Sequence, residues 1–416
     1  MKVLFSAYAG EPGKGSEPAA GWHWPVECAR LGHETWVLTR ANNRETIEKV
    51  LPSLNLKNLH FIYFDLPDFF LRHKKSRPGM YLYYAIWQWA GARYAARELA
   101  RKNVVPDIIH HITFGSIRHP TYVNRIPHRA LILGPLGGGE SCPWRLRSSY
   151  NVRGFLVDAV RDAHTWLTSF TPAVRRAYRV ADLILCKTPQ SAAWIPARYA
   201  GKTRTHLEVG ADAIEQLPAS PAEAGPTKLK ILYAGRLIYW KGLQLGLRAL
   251  AELDREMPNW ELTVIGGGPD TDWMKSLARR LGIYTKIEWA AQIDQRELFA
   301  RYPQFDVFLF PSLHDSSAYV VLEALAFGLP VVCVDNAGPA EITTPDCGIR
   351  VPVKMRSTKK VVRDLAAALR GLSADRQRRN VLSQGATRRA AELTWAKTVA
   401  PVYEEGGWAT SLLRDK

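Results

Sequence analysis

Paired cysteines and long apolar runs are both missing from this 416-residue chain. Its five cysteines form no Cys-x-x-Cys pair, which argues against a disulfide scaffold and predicts a reducing compartment. No run of about 18 apolar residues is present, so we expect no membrane-spanning helix. The first apolar run is too short for a signal peptide and leads into a glycine loop, so we expect a cytoplasmic protein.

Acidic residues are also few relative to basic ones. The chain has 56 Lys and Arg against 39 Asp and Glu, a net charge of +17; residues 1–215 hold 29 basic and 17 acidic residues, and residues 216–416 hold 27 and 22. The basic first half predicts an anionic partner, such as a phosphate-rich ligand, a membrane surface or a nucleic acid.

One run, 72–89, carries basic residues followed by aromatic ones. It is typical of a helix at an anionic membrane interface, and Lys74, Lys75 and Arg77 are its candidate headgroup contacts. Aromatic packing in a core explains the run equally well. We expect no nucleic-acid partner, because no RNA-binding motif accompanies the run.

The length suits two domains of about 200 residues each. The segment 216–227 is rich in proline and alanine, which indicates a linker. Lys2–Gly10 and Lys228–Gly235 both read as a strand ending in Ala-Gly, so each half begins with its own β-loop-α unit. We therefore predict one domain over 1–215 and a second over 216–393.

Two loops invite other assignments. Gly13-Lys14 suggests a Walker A motif, but Tyr8 and Gly15 stand where that motif needs a glycine and a Ser or Thr. The loop is then either a plain turn or one whose glycines let the backbone approach a phosphate. Asp270-Thr271-Asp272 matches a metal-binding Asp-x-Asp, but helix capping and first-turn acids explain it better, so we predict no metal.

The most informative stretch is 305–335. It predicts a buried strand over Val307–Phe310, a loop containing Asp315, and a helix that starts near Tyr319 and ends at Gly328. Glu323 lies among apolar residues of that helix, where an unpaired carboxylate costs several kcal/mol. Two acids and a helix N-terminus thus converge after a strand, where open α/β sheets bind ligands and phosphate is favoured.

This stretch resembles the acidic signature of the retaining glycosyltransferases of family 4. In that family two glutamates are separated by seven residues and followed by Ala-x-Ala-x-Gly-x-Pro; here Asp315 takes the first position, Glu323 the second, and 324–330 the tail. Ser316-Ser317-Ala318 replaces the usual Phe-Gly or Gly-Gly. Arg236 and Lys241, which follow the strand of the second half, are similar to the pair that holds the donor diphosphate in that family.

The resemblance implies an α/β protein of the GT-B fold, with two Rossmann-like α/β/α domains that face each other across a deep cleft. The C-terminal helix, from about residue 394 to 416, would cross back to the first domain. Arg236, Lys241 and the amides near Ser317 and Ala318 would hold the diphosphate, Asp315 the sugar hydroxyls and Glu323 the ribose. The other implied donor-binding residues are Gly15, Gly235, Gly267, Gln292 and Ile293.

The resemblance also implies a histidine at a strand end that contacts the sugar. His111 is the first choice, and His110 and His119 stay open. A histidine satisfied inside the core is the alternative for each of them.

The implied activity is that of a retaining hexosyltransferase. It would move a sugar from a nucleotide diphosphate donor to a hydroxyl of a glycan or lipid-linked acceptor, with no cofactor and no metal. A nucleotide-sugar epimerase and a non-catalytic protein that binds membranes or polyanions are the alternatives. The basic first half adds peripheral contact with an anionic membrane, on the inner face of the cell membrane, as an expectation.

Overall fold

The computed structural model describes residues 1–67, 69, 77–212 and 228–414. The chain forms two compact units: Met1–Gly139, His164–Gly210 and Trp395–Lys416 make the first, and Glu140–Ala163 and Ala211–Thr394 the second. The predicted linker 216–227, and Lys74 and Lys75 of the basic run, lie outside the described residues, as does the side chain of Arg77. The domain boundaries inferred from the sequence stay a prediction.

Strands and helices alternate along both units. The strands are β1 Lys2–Ser6, β2 Glu34–Thr39, β3 Leu59–Tyr63, β4 Ile108–His111, β5 Ala130–Leu136, β6 Leu183–Cys186, β7 Thr203–Thr205, β8 Leu229–Ala234, β9 Trp260–Ile265, β10 Ile287–Ala290, β11 Val307–Phe310, β12 Val331–Val334 and β13 Gly348–Val351. The α-helices in the described residues are α1 Glu17–Arg30, α2 Arg44–Val50, α3 Arg77–Arg101, α4 Val152–Ser169, α5 Pro172–Val180, α6 Pro189–Ala192, α7 Leu243–Asp254, α8 Thr271–Arg280, α9 Gln295–Arg301, α10 Tyr319–Ala326, α11 Ala337–Ile342, α12 Thr358–Ala374, α13 Arg376–Glu392, α14 Trp395–Tyr403 and α15 Trp408–Arg414.

Each unit is built on one parallel sheet. The order in the first is β3-β2-β1-β4-β5-β6-β7, and in the second β10-β9-β8-β11-β12-β13. All pairings are parallel, and the central strands are buried along almost their whole length, as expected for sheets covered on both faces. The α/β class with two Rossmann-like sheets is confirmed. β1 and β8 hold the same place in their sheets, which confirms that Lys2–Gly10 and Lys228–Gly235 are equivalent.

The strand order reverses beside β1 in the first unit and beside β8 in the second. Neighbouring connections leave in opposite directions there, so a crevice opens at the carboxyl ends of β1 and β4, and likewise of β8 and β11. Residues that follow these four strands are therefore the first place to look for a ligand site.

Two details differ from the sequence-based expectations. The apolar run 182–186 predicts the last strand of the first half, but the short β7 pairs with that strand at the sheet edge. Its three residues include two exposed polar ones and give no apolar signal. One C-terminal helix was expected over about 394–416, but α14 ends at Tyr403 and a second helix, α15, begins at Trp408.

The aromatic residues of the basic-aromatic run pack mainly in the core of the first unit. Tyr83, Tyr84 and Trp87 on α3 are buried in one apolar cluster, and the Trp87 indole donates a hydrogen bond to the Phe64 carbonyl at 2.8 Å. Tyr81 alone keeps a large exposed fraction among these tyrosines. Core packing thus explains most of this run, and none of the described helices is long and apolar enough to span a membrane.

Candidate functional site

The loops after β8 and β11 are pressed together in the second unit by a glycine. Gly242 has φ +77°, and a Cβ built on it would lie 1.8 Å from the Pro311 carbonyl oxygen. Only glycine permits this conformation together with this close approach. The Leu313 amide donates to the Trp240 carbonyl at 2.8 Å, which joins the same two loops.

This contact brings Lys241 to Asp315. Their side chains form an ion pair, and the Lys241 ammonium also lies 5.2 Å from the centroid of the Phe310 ring. The carboxylate accepts hydrogen bonds from the amides of Ser317 and Ala318, at 3.4 and 3.1 Å. Burial alone would raise the pKa of Asp315, but the Lys241 charge and these hydrogen bonds hold it below its ordinary value.

The Ser317 and Ala318 amides thus donate hydrogen bonds to Asp315, although the family resemblance implies that they hold a diphosphate. Ala318 precedes α10 in a left-handed conformation, with φ 47°. That conformation turns its amide toward the carboxylate. Asp315 therefore orders the N-terminus of α10 as well as pairing with Lys241, and the role of the two amides toward a diphosphate stays a prediction.

Arg236 is the second cation predicted at this site. It follows β8 directly after Gly235, its side chain is exposed, and it has no hydrogen-bond or ion-pair partner among the described residues. A guanidinium without a protein partner at a strand end is available to an anion, and its planar donors suit a diphosphate.

The Glu323 carboxylate has hydrogen-bond partners, although its neighbours on helix α10 are apolar. Gln295 on α9 donates to Oε1 of Glu323 at 2.7 Å, and the Tyr302 hydroxyl donates to Oε2 at 3.4 Å. Burial is the largest influence and raises the pKa of Glu323 above its ordinary value. Sequence reasoning missed Gln295 and Tyr302, since neither stands in a pattern that sets it apart.

The loop after β9 supports the β8 loop. A Cβ on Gly266 would lie 2.2 Å from the Gly235 carbonyl oxygen, and one on Gly268 equally close to the Leu237 carbonyl oxygen. The predicted residue between them, Gly267, has open space around it. The requirement for glycine therefore rests on its two neighbours, whereas Gly267 exposes its backbone at the strand end.

Asp270 occupies the N-cap position of α8, as predicted, but its side chain does not cap the helix. It accepts hydrogen bonds from the Tyr239 amide at 2.8 Å and from the Asn151 side chain at 2.9 Å. The capping interpretation was wrong in this respect: the carboxylate fixes the turn that carries Lys241. Gln292 and Ile293 lie in the loop after β10, the first exposed and the second half-buried.

A buried charge network holds the Asp315 loop from the other side. Asp158 on α4 is fully buried, its Oδ1 lies 3.1 Å from His314 Nε2, and its Oδ2 lies 3.2 Å from Arg147 Nε. The His314 ring stacks on Trp240, with centroids 5.2 Å apart. The network therefore positions the residues that immediately precede both Asp315 and Lys241.

The first unit holds the remaining predicted residues at the ends of β1 and β4. Gly15 lies in the loop between β1 and α1. His111 is buried, and its two ring nitrogens lie 2.7 Å from the Thr121 hydroxyl and 2.8 Å from the Tyr84 hydroxyl. His110 is also buried with both nitrogens bonded, so both rings have the contacts of core histidines. The role of His111 toward a sugar stays a prediction.

His119 differs from these two because its ring is half-buried and packs beside Tyr81, with centroids 4.9 Å apart. Glu17 is a further acid that sequence reasoning missed, two residues after Gly15. Its carboxylate accepts hydrogen bonds from the Phe114 and Gly115 amides, and burial raises its pKa. It ties the start of α1 to the loop after β4.

The buried histidines predict a loss of stability in mild acid. Burial lowers the pKa of His110 to about 3 and that of His111 to about 4, whereas an unfolded histidine titrates near 6.5. As the pH falls from about 6.5 toward 4, only the unfolded chain takes up these protons, so the free energy of unfolding decreases by up to about 1.4 kcal/mol per pH unit for each histidine. Urea unfolding between pH 7 and 5 should show a shallower dependence in His110→Gln than in the parent. An equal pH dependence of the free energy of unfolding in the two proteins would mean that burial does not lower the pKa of His110.

Residues 219–389 match the model of the family described as glycosyl transferases group 1. This region is a glycosyl transferases group 1 domain. It contains both strands whose loops meet at Gly242, together with Arg236, Lys241, Asp315 and Glu323.

Known relatives match about half of the chain or less. A glycogen synthase of Mycobacterium tuberculosis (strain CDC 1551 / Oshkosh) is 33% identical over 181 residues, which cover 42% of this chain and 43% of that protein. A D-inositol 3-phosphate glycosyltransferase of Corynebacterium jeikeium (strain K411) is 31% identical over 247 residues, covering 54% and 58%. The chain thus spans about half the length of the curated relatives it matches.

Solved structures similar to this chain extend beyond the group 1 domain. A glycosyltransferase from Rickettsia africae covers 100% of this chain with a TM-score of 0.62 and 13% identity. The lipopolysaccharide outer core galactosyltransferase WaaB covers 96% with a TM-score of 0.58 and 16% identity. Anabaena HepE in complex with UDP-glucose covers 97% with a TM-score of 0.54 and 15% identity. The fold of the chain, two parallel-sheet α/β domains, matches that of these GT-B glycosyltransferase structures.

Proposed function

We propose that this protein is a glycosyltransferase that uses a nucleotide diphosphate sugar and retains the configuration of the transferred hexose. The observation that carries the proposal is the arrangement of Arg236, Lys241 and Asp315 at the point where the strand order reverses, inside a glycosyl transferases group 1 domain. Two cations and a carboxylate at that point suit a diphosphate with a polar sugar beside it.

The chemistry needs stabilisation of a departing diphosphate more than a covalent nucleophile. As the bond to the sugar breaks, negative charge grows on the diphosphate, and Arg236 and Lys241 would stabilise it. Asp315, kept ionised by its low pKa, would accept hydrogen bonds from sugar hydroxyls. A phosphate oxygen would take the proton of the acceptor hydroxyl, so the acceptor adds to the face that the diphosphate leaves.

The nucleotide is proposed by analogy with a neighbour. HepE was solved with UDP-glucose, so a uridine nucleotide is the first donor to test. A glycan or lipid-linked hydroxyl is proposed as the acceptor. The positive charge at the site comes from Arg236 and Lys241, and we propose that the reaction needs no metal and no cofactor.

A donor screen followed by product analysis tests the function. UDP, GDP and ADP and their sugars would be added in turn, and thermal unfolding followed in the parent and in Lys241→Ala. We expect one nucleotide family to stabilise the parent more than the variant, and transfer to continue in excess EDTA. Stabilisation by none of them would contradict the proposal, and transfer that stops in EDTA and returns with Mg²⁺ or Mn²⁺ would contradict metal independence. Conversion of the sugar without transfer would favour the epimerase.

Glu323→Gln should weaken nucleotide binding and leave the fold intact. The variant keeps the shape of the side chain but removes the charge that would accept ribose hydroxyl bonds. Hydrogen bonds to a charged group are worth about 1.5–3 kcal/mol, so we expect roughly 10- to 100-fold weaker binding by titration calorimetry. Tyr302→Phe is the control, because it removes a hydrogen bond to the Glu323 carboxylate but leaves the carboxylate itself in place. Unchanged affinity together with a much lower melting temperature would assign Glu323 a structural role.

A further inference from the structure

Helix α4 presents an apolar face to solvent along its whole length. Val152, Leu156 and Val160 are 80%, 58% and 69% exposed. At 3.6 residues per turn they form one stripe, which Ala163 and Leu167 continue toward the C-terminus. A second stripe beside it contains the exposed residues Phe155, Ala159 and Trp166. We call these eight residues the α4 face.

The opposite side of α4 is the one that packs. Gly154, Asp158 and Thr165 point there and are buried. A Cβ on Gly154 would lie 2.6 Å from the Tyr239 ring, and the Asp158 carboxylate lies within ion-pair distance of Arg147 and His314. The side of α4 opposite the α4 face is therefore closely packed, so the exposure of the α4 face does not result from loose packing of the helix.

The α4 face is large for a protein surface. From Val152 to Leu167 it runs about 22 Å along the helix at 1.5 Å per residue. No charged residue interrupts it, and Trp144, which is also exposed, lies with its ring centroid 6.4 Å from that of Phe155. A continuous exposed apolar strip of this size marks an interaction site.

The charges around the face decide which partner fits. Every exposed charged side chain between residues 141 and 180 is an arginine: Arg145, Arg153, Arg175, Arg176 and Arg179. The acids of this stretch are engaged, since Asp158 is buried and Asp162 pairs with Arg147. Arg153 is next to Val152 in sequence, and Arg175 lies over the exposed Phe170 ring at 5.1 Å, so the face is bordered by positive charge at both ends.

We propose that the α4 face docks on an anionic lipid surface. A helix with aliphatic and aromatic residues on one side and arginine at its borders lies parallel to a bilayer, with its apolar face among the acyl chains and its cations near the headgroup phosphates. A protein partner would need an apolar groove bordered by acidic residues in matching positions. An anionic bilayer supplies both an apolar interior and negative charge over its whole surface. The surface differs from the 72–89 run that the sequence suggested.

Vesicle binding tests the proposal without donor or acceptor, so its outcome does not depend on the proposed transfer reaction. The full chain would be sedimented with vesicles of phosphatidylcholine alone, and of equal parts phosphatidylcholine and phosphatidylglycerol. We expect binding to the anionic vesicles that weakens as salt rises. The affinity of Leu156→Ser/Val160→Ser for the anionic vesicles should be lower by roughly tenfold or more. Arg153→Gln/Arg175→Gln should reduce the preference for anionic over neutral vesicles.

The control is a matched pair of exposed valines elsewhere. Val105 and Val381 are 59% and 55% exposed, and the variant Val105→Ser/Val381→Ser should bind vesicles like the parent. All five cysteines are buried, so a dye on Leu156→Cys reports the α4 face alone. Its emission should shift to the blue with anionic vesicles, and that of a dye on Val381→Cys should not.

Three results would overturn the proposal. The first is a parent that stays in the supernatant with anionic vesicles at low salt. The second is binding that survives Leu156→Ser/Val160→Ser but is lost in Lys74→Ser/Lys75→Ser/Arg77→Ser, which would assign the membrane contact to the earlier run. The third is a concentration-dependent dimer in sedimentation velocity that the α4 variant abolishes, which would make a second copy the occupant.

Discussion

Lys241→Ala is expected to lower the rate constant for sugar transfer by about 10²–10³-fold, and Arg236→Ala by a similar factor. Losses of this size follow the removal of one preorganised group that stabilises charge developing in the transition state. Lys241 is preorganised by the Gly242 turn and by Asp315, whereas Arg236 has no partner among the described residues and costs the fold nothing when removed. Single-turnover kinetics with saturating donor would separate the chemical step from donor binding.

The two variants should differ in their side effects. Lys241→Ala leaves Asp315 without its cation, so the pKa of that carboxyl rises and activity should fall further at low pH than in Arg236→Ala. Lys359→Ala and Arg363→Ala remove exposed cations on α12 and serve as controls with parental rates. If both site variants stay within a few-fold of the parent, the diphosphate assignment is wrong.

Asp158→Ala is expected to lower the free energy of unfolding by about 3–5 kcal/mol. Removing one partner of a buried ion pair takes away compensating charge, because His314 would lose its carboxylate and Arg147 would keep only its pair with Asp162. Burial raises the pKa of Asp158, but the His314 hydrogen bond and the arginines outweigh it and lower the pKa overall. Its contribution is therefore present at neutral pH and is lost as the pH falls below the ordinary aspartate range.

Urea unfolding at pH 7 measures this effect. Asp162→Ala is the control, because Asp162 pairs with the same Arg147 but is half-exposed, and such pairs contribute about 1 kcal/mol or less. Asp158→Ala should also raise the KM for the donor, since His314 and Trp240 precede Asp315 and Lys241. Equal effects of the two substitutions would mean that the buried network does not stabilise the unit.

Contiguous patterns made the second unit predictable. The strand Val307–Phe310, the following helix and its end at Gly328 are encoded by neighbouring residues, and the structure has them where the sequence predicted. Gly235 and Gly242 likewise indicate from the sequence alone that a loop follows β8. The pairing of Lys241 with Asp315 depends on a contact between residues 74 positions apart, and only the family resemblance suggested that the two belong to one site.

Contacts between distant segments account for what was missed. Nothing near Asp158 indicates that it meets His314, and the segment 140–163 carries no signal that it packs with residues 211–394. Asp270 illustrates a subtler limit, since its place before α8 was readable but its hydrogen bonds to Tyr239 and Asn151 were not. The exposed face of α4 was also unreadable, because an amphipathic pattern does not say whether its apolar side meets protein or solvent.

The division of the chain has a practical consequence for anyone who wishes to isolate one half. The polypeptide passes between the two units at residues 139–140, 163–164, 210–211 and 394–395. No single cut can therefore release either unit as one uninterrupted piece. A fragment trimmed to the matched family region, 219–389, would lose Asn151, Arg147 and Asp158, and would bring the back of the Lys241 and Asp315 loops into water. A gene fragment designed to contain the second unit should therefore include residues 140–163 as well as residues 211–394.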